Sequence, residues 1–117
     1  MPPNLPPDLT ERLAQESDLI AAWVMGSAVA DRLRADSDLD LALLYEPGCD
    51  PSFEEQARLA VALGEAAGRQ VDLGVLGTRN LVYAHEALSK GALLFSRDPF
   101  KEAAFVATAM SLYFDLK

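Results

Sequence analysis

Thiols, imidazoles and positive charge are all scarce in this chain. Among 117 residues there is one cysteine, Cys49, and one histidine, His85. A single thiol excludes an internal disulfide and any cysteine cluster for zinc, so a reducing compartment is the simpler reading and Cys49 reads as a loop thiol. Ten Lys and Arg stand against 18 Asp and Glu, a formal charge of −8. That balance is the reverse of the footprint expected where a protein grips a nucleic-acid backbone, so a small-molecule substrate or a basic protein partner is predicted instead of direct nucleic-acid contact. No apolar run approaches the ~20 residues needed to span a bilayer, and the start of the chain has no basic segment leading into an apolar one. A soluble, cytoplasmic protein without membrane contact is expected. No internal repeat or low-complexity segment is evident beyond a proline-rich start.

What is present suits one domain. Half of the residues are apolar, enough for a real core at this length. Residues 1–7, with Pro2, Pro3, Pro6 and Pro7, read as an extended lead-in, and 8–117 as a single domain. Asp8 with Glu11 reads as a capping box for a helix over about Leu9 to Glu16. Leu19–Met25 is short, continuous and apolar, which predicts a strand buried on both faces with Trp23 in the core. A short helix after Ser27 ends near Arg34, and a second strand covers about Leu39 to Tyr45 before the Glu46-Pro47-Gly48 turn.

Asp50-Pro51, or Ser52 with Glu55, starts a long helix that places Phe53, Ala57, Ala60, Val61 and Leu63 roughly on one side and stops at Gly68. A third strand runs from Val71 to Leu76. Thr78 is expected to cap a helix to about Lys90, closed by Gly91. Ala92 to Ser96 forms a fourth strand, and Asp98-Pro99 opens a last helix to about Leu116. Alternating strands and helices predict an α/β fold, a small sheet of about four strands flanked by helices.

The chemistry concentrates between Gly26 and Asp40. Gly26-Ser27 follows a strand and precedes a helix, a turn that aims free backbone N–H groups at an anion. After ten intervening residues come Asp38 and Asp40, alternating with Leu39 and Leu41. Alternate residues of a strand share a face, so the leucines turn inward while both carboxylates project together beside the turn. Asp72 divides its own strand in the same way, with Val71, Leu73 and Val75 opposite. Magnesium takes oxygen ligands, usually one or two carboxylates with substrate phosphates, and a third carboxylate makes two ions possible. Two-metal sites stabilise the attacking and leaving oxygens of an in-line displacement, which implies phosphoryl or nucleotidyl transfer.

Gly26-Ser27, ten residues, then Asp38-Leu39-Asp40, with Asp72 in a later Val-Asp-Leu, resembles the signature of the DNA-polymerase-beta-like nucleotidyltransferase superfamily, and the small size resembles its minimal nucleotidyltransferase branch. The resemblance covers about residues 18 to 97. It implies that Gly26 and Ser27 bind the phosphates of ATP, that Asp38 and Asp40 ligate two Mg2+ ions, and that Asp72 ligates one ion and helps activate the attacking hydroxyl. Many members of that branch are antitoxins paired with a HEPN-domain ribonuclease toxin, which they silence by moving AMP from ATP onto a toxin tyrosine. The resemblance therefore implies a hetero-oligomer with such a toxin. Many members also follow the Gly-Ser with a small residue, Arg and Gly, where this chain has Ala30 and Asp31. An extra carboxylate near a triphosphate is unhelpful, and Arg32 or Arg34 is placed to compensate.

Three functions fit these residues: AMP transfer to a toxin tyrosine, neutralisation of the toxin by binding alone, and transfer to a small molecule such as an antibiotic. The last usually needs a further domain to hold its acceptor. His85, beside Tyr83 and Glu86, reads as a surface or partly packed residue, not a catalytic base. Tyr83, Phe95, Phe100, Phe105, Tyr113 and Phe114 read as core or interface, and Arg97 and Lys101 as solvated charges.

Overall fold

A strand that is apolar at every position is most stable with both faces covered. Leu19–Met25 meets that condition as β1, buried through Val24 and half-buried at Met25. The computed structural model describes residues 5–25 and 38–116, so the helix expected after Ser27 lies outside the described residues. With β2 (Leu39–Tyr45), β3 (Val71–Val75) and β4 (Ala92–Ser96), β1 builds a four-stranded sheet in the order β3-β2-β1-β4. β1 runs antiparallel to β2 and β4, whereas β2 and β3 are parallel. A parallel pair needs a crossover, supplied here by α2 (Phe53–Ala67). The remaining helices are α1 (Pro7–Ala14), α3 (Leu81–Lys90) and α4 (Pro99–Asp115). The fold is α/β, as expected, on a mixed sheet.

Local chemistry sets the helix ends. Ser52 caps α2 through a complete capping box, its hydroxyl accepting from the Glu55 N–H at 3.1 Å while the Glu55 carboxylate accepts from the Ser52 N–H at 2.9 Å. Those two bonds hold the Glu55 pKa below its ordinary value. Gly68 stops the helix at φ 74°, in the left-handed region where a side chain is strained. Asp98 caps α4 by accepting from the N–H groups of Phe100 and Lys101, with Pro99 at the first helical position.

Three expectations are corrected. α1 starts at Pro7, not Leu9, and Pro6 occupies the cap position with no side-chain cap; proline's fixed φ sets the first turn, which leaves Asp8 inside the helix. α3 is capped by Asn80 rather than Thr78, the Asn80 side chain accepting from the Tyr83 N–H at 3.3 Å. In α2 the buried stripe is Leu59, Leu63 and Ala67, at i+4 spacing, and Phe53 and Val61 face solvent at 87% and 64% exposure. The leucine pair outweighs the apolar stripe that begins at Phe53, because a helix can turn only one such stripe to the sheet.

Strand alternation sorts the core into two layers. Leu39, Leu41 and Leu43 of β2 join Leu19, Ala22 and Val24 of β1 against Leu9 and Leu13 of α1 and Leu59 and Leu63 of α2. The opposite face, with Ile20, Ala21, Trp23, Ala42 and Leu44, packs against Ala84 and Ala87 of α3 and Ala109 of α4. His85 and Tyr113 stack at 3.8 Å between centroids, fastening α3 to α4. Lys101 pairs with Glu46 at 2.8 Å. Arg97 is exposed, as expected of a solvated charge, and its guanidinium also donates to the carbonyls of Leu19, Ala14 and Glu16 at 3.0, 2.7 and 2.9 Å. Among the described residues no helix is long and apolar enough to cross a membrane.

Candidate functional site

The period-two alternation that turns Leu39 and Leu41 toward α1 and α2 turns Asp40 to the other face. The same holds in β3, where Val71 and Leu73 go inward and Asp72 opposes them. In the parallel register of β2 and β3, Asp40 lies opposite Asp72 and Ala42 opposite Gly74. The last residue of β1, Met25, lies opposite Asp40 on its other side. Two carboxylates thus stand side by side on strands about 4.8 Å apart. Asp38, two residues before Asp40 and just ahead of the strand, is exposed and within electrostatic reach.

The charges act on one another. Burial raises the Asp40 pKa above its ordinary value, and the negative fields of Asp72 and then Asp38 raise it further. Among the described residues no group of three His, Cys, Asp or Glu side chains is arranged to hold a metal ion by itself. The three aspartates therefore do not form a closed cage. Such a donor set suits magnesium, which keeps several waters and completes its shell with phosphate oxygens. A cation held by Asp38, Asp40 and Asp72 would also relieve their repulsion. Gly26 and Ser27, the expected phosphate cradle, lie outside the described residues, and Met25 places the chain leading to them next to Asp40.

Tyr83, read as core or interface, packs partly buried against the core on the α3 and α4 side, and what the sequence did not show is its nearness to Asp40. Tyr83, in the first turn of α3, extends to the acidic end of the sheet. A Cβ on Gly74 would run into its hydroxyl oxygen, so the phenol occupies the room a side chain on β3 would need. Its Oη lies 4.0 Å from Met25 Sδ, and its pKa is raised first by burial and then by the charge of Asp40. The available signal was Gly74, since a glycine inside a strand often marks the close approach of another group. On the open edge of β3, a groove of about 200 Å³ lined by Phe53, Gln56, Ala57, Ala60 and Leu73 runs past Asp72.

Residues 8–100, most of the chain, match the family described as Polymerase beta, Nucleotidyltransferase. The chain belongs to this nucleotidyltransferase family. Its fold is shared with solved structures of similar size. A chain from a toxin-antitoxin complex with AMP-PNP superposes with a TM-score of 0.77 at 22% identity, covering 93% of this nucleotidyltransferase and 86% of that chain. One from the tri-AMPylated Shewanella oneidensis HEPN toxin in complex with its MNT antitoxin gives 0.71 at 19% identity, covering 93% and 86%. One from the toxin-antitoxin MntA-HepT gives 0.68 at 21% identity, covering 91% and 81%. No curated protein sequence matches this nucleotidyltransferase at a significant level.

Proposed function

We propose that this nucleotidyltransferase is an antitoxin that moves AMP from ATP to a tyrosine hydroxyl of a HEPN-type toxin, with which it assembles. The observation that carries the reading is the register pairing of Asp40 with Asp72 on the face away from the leucine core, with Asp38 beside them. In the transfer, the acceptor oxygen forms a bond to the α-phosphorus of ATP, the bond from that phosphorus to the bridging oxygen breaks, and pyrophosphate leaves. Asp72, on the edge strand of the sheet, would draw the proton from the attacking hydroxyl. Asp38 and Asp40 would hold a divalent cation, which would supply charge neutralisation at the phosphates. Gly26 and Ser27 are assigned to the phosphates themselves. The similar folds in complexes that contain a HEPN toxin and AMP-PNP support the choice of partner and nucleotide.

The test is to incubate the chain with its candidate toxin, ATP and magnesium, and to look for added AMP by mass spectrometry. Asp40→Asn removes a charge that interacts with the cation, worth several kcal/mol in the transition state, and should slow transfer by about 10³-fold or more. An unmodified toxin overturns the reading.

Asp31 favours a second reading in which the chain neutralises its toxin by occupation alone. Under that reading alanine at both Asp38 and Asp40 still neutralises; under AMP transfer it does not. In either case the −8 charge is suited to the basic groove that an RNA-cleaving partner must carry, and association should weaken as salt rises.

A further inference from the structure

The phenol of Tyr83 is a neutral hydrogen-bond donor seated over Gly74 beside the acidic pair, and several features of the fold put it there. Asn80 caps α3 on the Tyr83 N–H, fixing where the side chain leaves the helix. Ala84, the next residue, is fully buried against the sheet, so the turn carrying Tyr83 is pressed onto β1 and β2. Gly74 supplies the space. Its register partner is Ala42, two residues beyond Asp40, and it lies two residues beyond Asp72 on the same face. The hydroxyl is therefore seated one step inward of both carboxylates. The contact recorded for that hydroxyl is the Met25 thioether at 4.0 Å, and a thioether is a weak acceptor.

We propose that Tyr83 is a positioning residue for the candidate cation site: its hydroxyl, lodged over Gly74, donates to the Asp40 carboxylate and holds it in the orientation that ligates the divalent ion. A carboxylate that gives one oxygen to a metal leaves the other needing a donor, and partners of this kind are commonly worth 10- to 100-fold in metal affinity. A tyrosine can do this without adding charge. It donates to the carboxylate but does not compete with the cation, as a lysine or arginine in the same place would. The glycine is part of the device, because any side chain at position 74 would push the hydroxyl away.

This role rests on the cation reading of the site, and the experiment separates the two. Melting of the full chain is followed as magnesium, or manganese as a second probe, is raised, and the midpoint concentration of the metal-dependent increment is read. Tyr83→Phe, which keeps the ring over Gly74, should raise the midpoint about 10-fold or more while the metal-free melting temperature changes little. Gly74→Ala, with the phenol chemically intact but displaced, should raise it too. An unchanged midpoint in Tyr83→Phe overturns the role of Tyr83 alone, including the case where only the metal-free melting temperature falls, since that is the mark of a purely structural residue. A wild-type chain whose melting ignores both metals overturns the cation reading, and this role with it.

Discussion

The two faces of the sheet are built from different materials. Toward α1 and α2 the contact is leucine on leucine: Leu9, Leu13, Leu39, Leu41, Leu43 and Leu63 are all at most 1% exposed. Toward α3 and α4 it is largely alanine, with Ala21, Ala42, Ala84 and Ala87 fully buried and Ala109 nearly so. Small side chains bury little area each, and they let a helix lie close to the strands. The low relief leaves room at one end for Asp40, Asp72 and the Tyr83 phenol. The largest fully buried side chains thus lie on one face, while the other, built on Trp23, Ile20 and the alanines, accommodates the charged residues at its end.

The largest effect should come from breaking the leucine face. Leu63→Ala removes a fully buried side chain from the α2 contact and should lower unfolding stability by about 2–5 kcal/mol. A denaturant titration should show a lower midpoint at constant slope, with the magnesium midpoint unmoved in the folded protein. The complementary change, Ala87→Leu, overpacks the alanine face and should cost about 1–3 kcal/mol. Because it lifts α3, and with it Tyr83, it should also weaken the response to magnesium. If Leu63→Ala disturbs that response as much as Ala87→Leu does, the division of labour between the faces is wrong.

The smallest effect sharpens the comparison. Asp40 has a folded pKa above its unfolded value near 3.8. Its contribution to stability is therefore fully present below the unfolded value and lost as pH rises through the folded one. At neutral pH the charged carboxylate is worse off folded than unfolded, so Asp40→Asn should melt slightly higher than wild type in the presence of a chelator. The difference should vanish on acidification below the carboxylate range. Melting curves across that range check it, and a variant that is less stable than wild type at neutral pH contradicts the assignment of strain to this site.

Much of this arrangement was legible in the residues, for reasons that differ by element. β1 and β2 were readable to their ends because a seven-residue apolar run bounded by Asp18 and Gly26, and a Leu-Asp-Leu alternation, leave few other ways to bury the same groups. Asp40 and Asp72 followed from that alternation, although their pairing depends on the β2-β3 register, which no local pattern states. The face of α2 was misjudged because two apolar stripes compete on it, and only the sheet decides between them. Tyr83 was read as core or interface and does pack there, but its approach to the acidic pair was not legible, because that depends on Gly74, nine residues earlier and on another element. Arg97 was read as a solvated charge and is exposed, but the ties it makes were not legible, because its acceptors are main-chain carbonyls, which have no sequence signature.

Arg97 has a kinetic consequence as well. Its three acceptors are 78 to 83 residues away along the chain, so the tie spans most of the domain's contour. Closing a loop of that length before the intervening sheet exists would cost chain entropy with little return. The guanidinium should therefore dock after the rate-limiting step, when β4 already lies against β1. A late contact of this kind acts as a latch. It leaves the speed of folding nearly untouched and slows escape from the native state. Arg97→Ala should accordingly shift the unfolding limb of a chevron plot upward, with the refolding limb almost superimposable on wild type. A refolding limb that slows instead would place the docking of Arg97 early, in the nucleus itself.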